Sequence, residues 1–370
     1  MSFQKVFLPL ICGAALVGAV LFIPVLTLHG GDSERGLAAR CSVNLIGMKH
    51  GAYEEFSKTG QKVLSGHFFL GHYSGEWKWF LPDGSVTAEC SRGRKPARCR
   101  AFHTNGAVKE EFFLMPEHIR RWSDLFFRKE WTLIDTAYMA GIFEGDYRQW
   151  YSSGETKVAG QYENGDARGV WTFFRKNGKV RMTKEYAGEL GDLTITTQTY
   201  FENGKVASKA MEGSSLAVKN REDTLLYESG RPFFKMKLRG EVPELIGFFD
   251  PEGVSLVVCD ADEFGFFCAL DSEAGTGSTK EIRSYYPDGV TALEMNVNGG
   301  RLNGRLTRFY ESGKTASYLT FNHGALDGEA AYYDESGKLE ALKEFKNWKL
   351  TAASYYDGDG EALSYPQGNA

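Results

Sequence analysis

Proline is scarce in this chain, 10 of 370 residues, and so are histidine, with 7, and cysteine, with 6. Few prolines leave long stretches free to donate backbone hydrogen bonds, which suits strands and excludes a proline-rich stalk. The histidines (His29, His50, His67, His72, His103, His118 and His323) form no HExxH or other close ligand pair, and no CxxC occurs. The spacings of zinc enzymes and zinc ribbons are therefore missing, and neither a metal nor a cofactor is expected. There is also no GxSxG elbow, no Walker sequence and no dinucleotide fingerprint between a strand and a helix. The DGDG at 357–360 lacks the rest of a calcium loop. No basic run stands out and the net charge is −5, so nucleic acid is not the expected partner.

Glycine and aromatics are abundant instead: 43 Gly, 26 Phe, 18 Tyr and 7 Trp. They recur in order. Polar turns end at Gly60, Gly84, Gly106, Gly154, Gly178, Gly204, Gly230, Gly253, Gly289, Gly313, Gly337 and Gly360, with spacings clustered at 22 to 26. The step of 48 between Gly106 and Gly154 reads as two periods of 24, with LFFRKEW at its midpoint as a unit that has lost its glycine. An aromatic stands four residues before nearly every turn glycine, among them Phe56, Phe80, Trp150, Phe174, Phe309 and Tyr333. An Asn-Gly, Asp-Gly or Ser-Gly pair supplies the positive φ angles of a hairpin turn. A second glycine, such as Gly75, Gly169, Gly304 or Gly328, opens the next unit. One hairpin is marginal alone, so the expected fold is an all-β, elongated antiparallel array of hairpins, each stabilised by its neighbours.

The first residues read differently. Val6 to Leu28 holds no charge over 23 residues, enough to cross a hydrocarbon core of ~30 Å as a helix. A small-x-small cleavage site lies no closer than Gly36 to Ala38, so an uncleaved anchor is expected over a cleaved signal peptide. The resulting division is a cytoplasmic tail at 1–5, a transmembrane helix at 6–28, a linker at 29–46, repeats at 47–362 and a tail at 363–370. Within the repeats, 107–143 is irregular. There Ile119, Trp122, Leu125 and Phe126 follow a proline at helical spacing, which predicts a short helix near 116–127 that covers apolar surface or shapes a groove.

The pattern Gly-x-Trp/Tyr-x-x-Phe/Tyr-x-x-Asn/Asp-Gly-Lys resembles the variant MORN repeat, in the bacterial form found in membrane-associated or exported repeat proteins and in proteins named as antitoxin components. The resemblance covers about residues 47 to 362. It implies antiparallel hairpins and an interaction role, and no reaction. Repeats fill almost the whole region beyond the leader, leaving no room for a separate catalytic domain.

Two Cys-x8-Cys pairs depart from the repeat. Cys90 and Cys259 each follow a turn glycine by six residues, and Cys99 and Cys268 each precede one by seven, taking Gly275 as a further turn. This places each pair face to face across adjacent strands and predicts the disulfides Cys90–Cys99 and Cys259–Cys268, hence an oxidising compartment. Cys41 is left over, free or joining two chains. The intervening tips differ in sign, with Arg92, Arg94, Lys95 and Arg98 in one and Asp260, Asp262 and Glu263 in the other, as docking knobs or as plain solvated loops. Tyr53, Trp77, Trp79, Tyr147, Trp150 and Trp171 form the candidate binding surface, since an aromatic ladder on an open sheet either binds peptide, glycan or lipid or simply joins hairpins.

The functional expectation is a scaffold in a bacterial inner membrane, its repeats on the periplasmic side, binding another envelope protein and able to self-associate. The alternatives are a lipid- or glycan-binding module and an antitoxin-type or immunity-type inhibitor.

Overall fold

A tight turn closing on a glycine recurs thirteen times among the described residues, at Gly47 and at the twelve glycines whose spacing sets the period of the protein. At Arg175 to Lys179, the Gly178 amide donates to the Arg175 carbonyl at 2.9 Å and the Arg175 amide donates to the Lys179 carbonyl at 2.8 Å. Gly178 has φ 78°, a left-handed conformation that costs a residue with a Cβ about 1 kcal/mol or more. This is a type I turn followed by a left-handed glycine with a one-residue bulge, and the strand register shifts there between Phe173 and Phe174. The same two bonds and a positive φ occur at Gly60, Gly84, Gly106, Gly154, Gly204, Gly230, Gly253, Gly289, Gly313, Gly337 and Gly360. The residue before the glycine has a different job from the one expected. Its φ is not positive; instead its side chain accepts an amide two residues on, as in Lys179 to Asn177 (3.1 Å) and Ser85 to Asp83 (2.9 Å). The opposite ends of the hairpins use two-residue turns in which both residues have positive φ, such as Asn164-Gly165 and His323-Gly324.

The structure is a computed structural model. It describes residues 26–32, 37–44, 47–92, 96–115, 142–188, 192–215, 219–239, 242–262, 265–270, 279–357 and 360–363. These hold 28 strands. The chain divides into two compact units. The first is Met1–Thr156 with Gln161–Asp166 and Gly368–Ala370, and the second is Lys157–Gly160 with Ala167–Gln367.

The first unit is a meander in which Leu26–Asp32, Leu37–Val43, Lys49–Phe56, Lys62–Phe69, His72–Phe80, Val86–Arg92, Ala97–Phe102 and Val108–Met115 pair in succession, all antiparallel. Two expectations are corrected here. No helix occurs among the described residues, and none of them forms a span long and apolar enough to cross a membrane. Leu26 to Leu28, the end of the expected transmembrane helix, lie in a strand paired with Cys41 to Val43, and the expected linker at 29–46 contains most of that hairpin. Residues 1–25 and the expected helix at 116–127 lie outside the described residues. The 48-residue step is one period in the sheet, because Val108–Met115 pairs directly with Gly145–Trp150, through Glu111 with Arg148 and Glu110 with Gln149.

In the second unit, strands from Val180 to Leu270 pair in succession, and Thr279 to Tyr355 form a separate eight-stranded sheet. The two layers enclose one core. Phe234, Met236, Phe248 and Val257 from the former meet Leu293, Met295, Leu306, Leu319 and Phe321 from the latter, all nearly sealed from solvent. The idea that hairpins stabilise only their neighbours therefore fails in this unit. Arg308, 6% exposed, lies over the rings of Phe201, Phe233 and Tyr310 and donates to the Leu226 carbonyl at 3.3 Å.

Successive turns are also tied to each other. The residue three before the glycine reaches a main-chain carbonyl of the next unit: Tyr227 donates to Phe249, Tyr286 to Phe309, Tyr310 to Tyr333 and Arg175 to Tyr200, at 2.6 to 2.9 Å. The cation just after the glycine does likewise, with Lys179, Lys205, Arg231 and Lys314 donating to the carbonyls of Glu202, Glu228, Glu252 and Glu335. The Gly-Lys of the repeat signature is thus a staple between neighbouring turns.

Candidate functional site

Four of the six aromatics expected on a binding surface are core residues. Tyr53, Trp77, Tyr147 and Trp171 are 0 to 1% exposed, while Trp79 and Trp150 are half-buried. The buried four all stand seven residues before a turn glycine, which fixes them on the inward face. Trp77 packs against Tyr53, Phe68 and Tyr73 with ring centroids 4.9 to 5.7 Å apart, and its indole N–H donates to the His67 and Ser74 carbonyls at 3.2 Å each. Its ring lies over Gly66, where a Cβ would stand 2.2 Å from Cδ2; Trp171 lies over Gly160 in the same way, also at 2.2 Å. Such side chains hold hairpins together and offer nothing to a ligand. The aromatics four before the glycines form a half-buried row near the turns, with Tyr285 the most open at 51%.

The outward face of the first unit carries charge. Lys62 pairs with Glu54 at 2.5 Å, and Glu111 receives both Arg98 (2.6 Å) and Arg100 (2.7 Å), with Arg100 also 3.8 Å from Glu89. Burial works to raise the Glu111 carboxyl, but hydrogen bonds and charge from Arg100 and Arg98 overcome it and leave it below the usual carboxylate range. A carboxyl depressed in the folded state contributes stability that is present above its unfolded pKa of ~4.3 and lost as pH falls through the folded value. Urea titrations from pH 7 to pH 3 are therefore expected to show wild type losing more stability than Glu111→Gln. The gap is ~1 kcal/mol or less, given the partial exposure, and closes at the acid end; parallel curves would refute the assignment.

Cys90 and Cys99 are directly opposed and disulfide-bonded, 1% and 0% exposed. The register opposes Cys259 and Cys268 in the same way; their side chains are not among those described. Neither arginine described at the first tip is a free knob, because Arg92 is 6% exposed over the Tyr73 ring and Arg98 is paired with Glu111. Arg94, Lys95, Glu263 and Gly275 lie outside the described residues. Cys41 is free, fully buried, and pushed up to about 12 by burial, with Lys49 opposing. Maleimide at pH 8 is expected to leave Cys41 unmodified in the native protein and to label it in urea, read by peptide mass spectrometry. Native labelling at wild-type stability would contradict the burial.

A polar seam inside the second unit was not foreseen. Between the two layers, the inward row changes from aromatic to polar. Lys184, Thr197, Thr199, Ser208, Arg221 and Asp223 come from one layer, and Tyr332, Lys343 and Tyr355 face them from the other. Arg221 pairs with Asp223, Nε to Oδ1 at 3.2 Å, and stacks 5.3 Å over Phe345. Arg175 and Arg181 both hold the Glu340 carboxylate, Arg181 Nε at 3.3 Å. Lys184 lies 5.2 Å from the Tyr355 ring and Lys343 5.2 Å from the Tyr332 ring. Burial holds the Tyr332 phenol well above its ordinary pKa, so at neutral pH it is a hydroxyl donor. The sequence signal was available: Thr197 and Asp223 occupy the position seven before the glycine where Trp77 and Trp171 stand elsewhere.

Turn, register and repeat spacing define a β-hairpin repeat protein. The profile of the MORN repeat variant matches residues 326–347, so the resemblance to the variant MORN-repeat family is supported in that unit. No curated protein sequence matches the chain. Similar solved structures include the crystal structure of TcdB2-TccC3, at 10% identity over 87% of this chain and 19% of that one, TM-score 0.17. The Photorhabdus luminescens Tc holotoxin pore is similar at 10% over 88% and 19%, TM-score 0.15. An alternansucrase bound to isomaltononaose gives 15% over 59% and 17%, TM-score 0.09. The chain thus spans about a fifth of the first two, and at these scores none of the three likenesses carries an argument.

Proposed function

We propose that the chain is a non-enzymatic binding scaffold for another protein, working in an oxidising compartment of a bacterial envelope. The observation that carries this reading is the division of each strand. Inward rows are spent on the core, while the outward rows of the first unit hold ion pairs across neighbouring strands in two groups, Lys62 with Glu54, and Arg98 and Arg100 with Glu111 and Glu89. A repeat array displays such a surface in proportion to its length. Charged ladders favour a protein partner of complementary pattern. The rival, lipid or glycan held on exposed aromatics, loses support because Tyr53, Trp77, Tyr147 and Trp171 are enclosed. The Cys90–Cys99 bridge supports the compartment.

The test is chemical crosslinking in the source cells followed by affinity capture, with wild type beside an Arg98→Glu, Arg100→Glu variant of unchanged stability. One protein captured by wild type, lost in the variant and weakened by 0.5 M salt (roughly a 4 Å screening length) is the expected result. Equal capture by both proteins, or nothing above background, defeats the reading.

A further inference from the structure

The seam of the second unit contains more positive than negative charge. Among the described residues, five cations (Arg175, Arg181, Lys184, Arg221 and Lys343) meet Asp223 and Glu340, with Glu212 acting on Arg221 and Asp334 on Arg175 from nearby. Asp223 and Glu340 are already engaged by arginines. Among the described residues Lys343 has neither a hydrogen bond nor an ion pair, and its ammonium lies 5.2 Å from the Tyr332 ring centroid. A cation withdrawn from water and lacking a direct ion pair tends to shed its proton. Here burial pushes the Lys343 pKa down while Tyr355, Tyr332 and Asp223 push it the other way, and the net direction is upward.

A cavity of about 50 Å³ adjoins this ammonium, larger than the ~10–15 Å³ that one water requires. Its polar lining consists of donors and hydroxyls: Arg181, Thr197, Thr199, Ser208, Tyr332 and Lys343, with Glu340 turned to the arginines. Thr199 and Ser208 lie 2.6 Å apart, so one hydroxyl accepts from the other and the acceptor's proton is free to point elsewhere. We propose that this cavity is a binding site for a small oxyanion, a phosphate or a carboxylate group. Lys343 supplies the charge, and Tyr332, Thr199 and Ser208 supply hydroxyl donors. The chemistry matches oxyanion recognition elsewhere, where a cation and several neutral donors replace the hydration shell. The site is independent of the outward charge ladder, so it stands or falls separately from the scaffold reading.

The test uses the full chain at fixed ionic strength, titrated in separate arms with inorganic phosphate and with acetate, and followed by calorimetry and by melting temperature. Saturable binding in at least one arm is expected, with the melting temperature rising as occupancy rises. The responding arm identifies which oxyanion is preferred. Lys343→Met, close in length and neutral, is expected to weaken binding at least tenfold, the loss of one charge-assisted bond. Thr199→Val keeps the volume and removes one hydroxyl, and is expected to weaken binding a few-fold. It reads the same site should Lys343→Met fail to fold. No saturation in either arm overturns the proposal, as does a folded Lys343→Met that binds like wild type, or an unchanged affinity in Thr199→Val where that variant alone folds.

Discussion

Trp171→Ala is expected to destabilise the second unit by about 3–5 kcal/mol, the range for an enclosed tryptophan whose cavity only partly collapses. The indole is fully buried and roofs the backbone of Gly160 on the neighbouring strand. That contact also makes Gly160 irreplaceable. A Cβ there would lie 2.2 Å from Cδ2 and 2.4 Å from Cε2 of the ring, so Gly160→Ala forces ring or strand to move, at a cost of about 1–3 kcal/mol. The informative experiment is the cycle. Once Trp171 is alanine, a Cβ at Gly160 enters vacated space, so the double variant should cost less than the two singles combined, by on the order of 1–3 kcal/mol. Urea unfolding followed by circular dichroism measures all four proteins. Strict additivity would show that the ring does not press on that glycine. The first unit repeats the device at Gly66 and Trp77, where the same Cβ distance is 2.2 Å, so the same coupling is expected there.

This pairing shows which parts of the fold the sequence discloses. Turn glycines are legible because positive φ is a local demand that few residues meet, and all twelve marked by spacing close a bulged turn. The opposition of Cys90 to Cys99 was legible for a related reason: counting from two flanking turns fixes the cross-strand register. Facing was harder. Aromatics recur both four and seven residues before the glycine, and alternation puts those positions on opposite faces. The more regular row, at minus four, is the half-buried one, and the row with the greater burial includes Trp77 and Trp171 but also Leu306 and Ala330, so no single residue type marks it. Nor does a local pattern reveal that strands some 80 to 165 residues apart will stack, as Arg308 on the Leu226 carbonyl and Arg175 on Glu340 require. The 48-residue step misled because any multiple of the period fits the arithmetic equally well, whereas the sheet counts only strands that pair. The apolar run ending at Leu28 misled because length and hydropathy do not distinguish a span from residues that enter a hairpin, as Leu26 to Leu28 do.

Asp223→Asn is expected to cost the second unit about 3–5 kcal/mol, because removing one partner of a buried ion pair strands the other. Asp223 is 8% exposed, binds Arg221 through both oxygens, and also acts through its charge on Lys343. The amide keeps the shape and cancels the charge, which takes from Arg221 its ion-pair partner and from Lys343 the negative charge of Asp223. A purely steric account predicts almost no change for this near-isosteric swap, so the magnitude separates the two explanations. A second comparison sharpens it. Arg221→Met with Asp223→Leu removes both charges, and is expected to be less damaging than Asp223→Asn alone, since replacing a whole buried pair with apolar groups is often neutral or better. Urea unfolding at pH 7 ranks the variants. If Asp223→Asn costs less than about 1 kcal/mol, the value of a solvent-exposed pair, then water reaches the seam freely and the electrostatic argument for an anion in its cavity loses its premise.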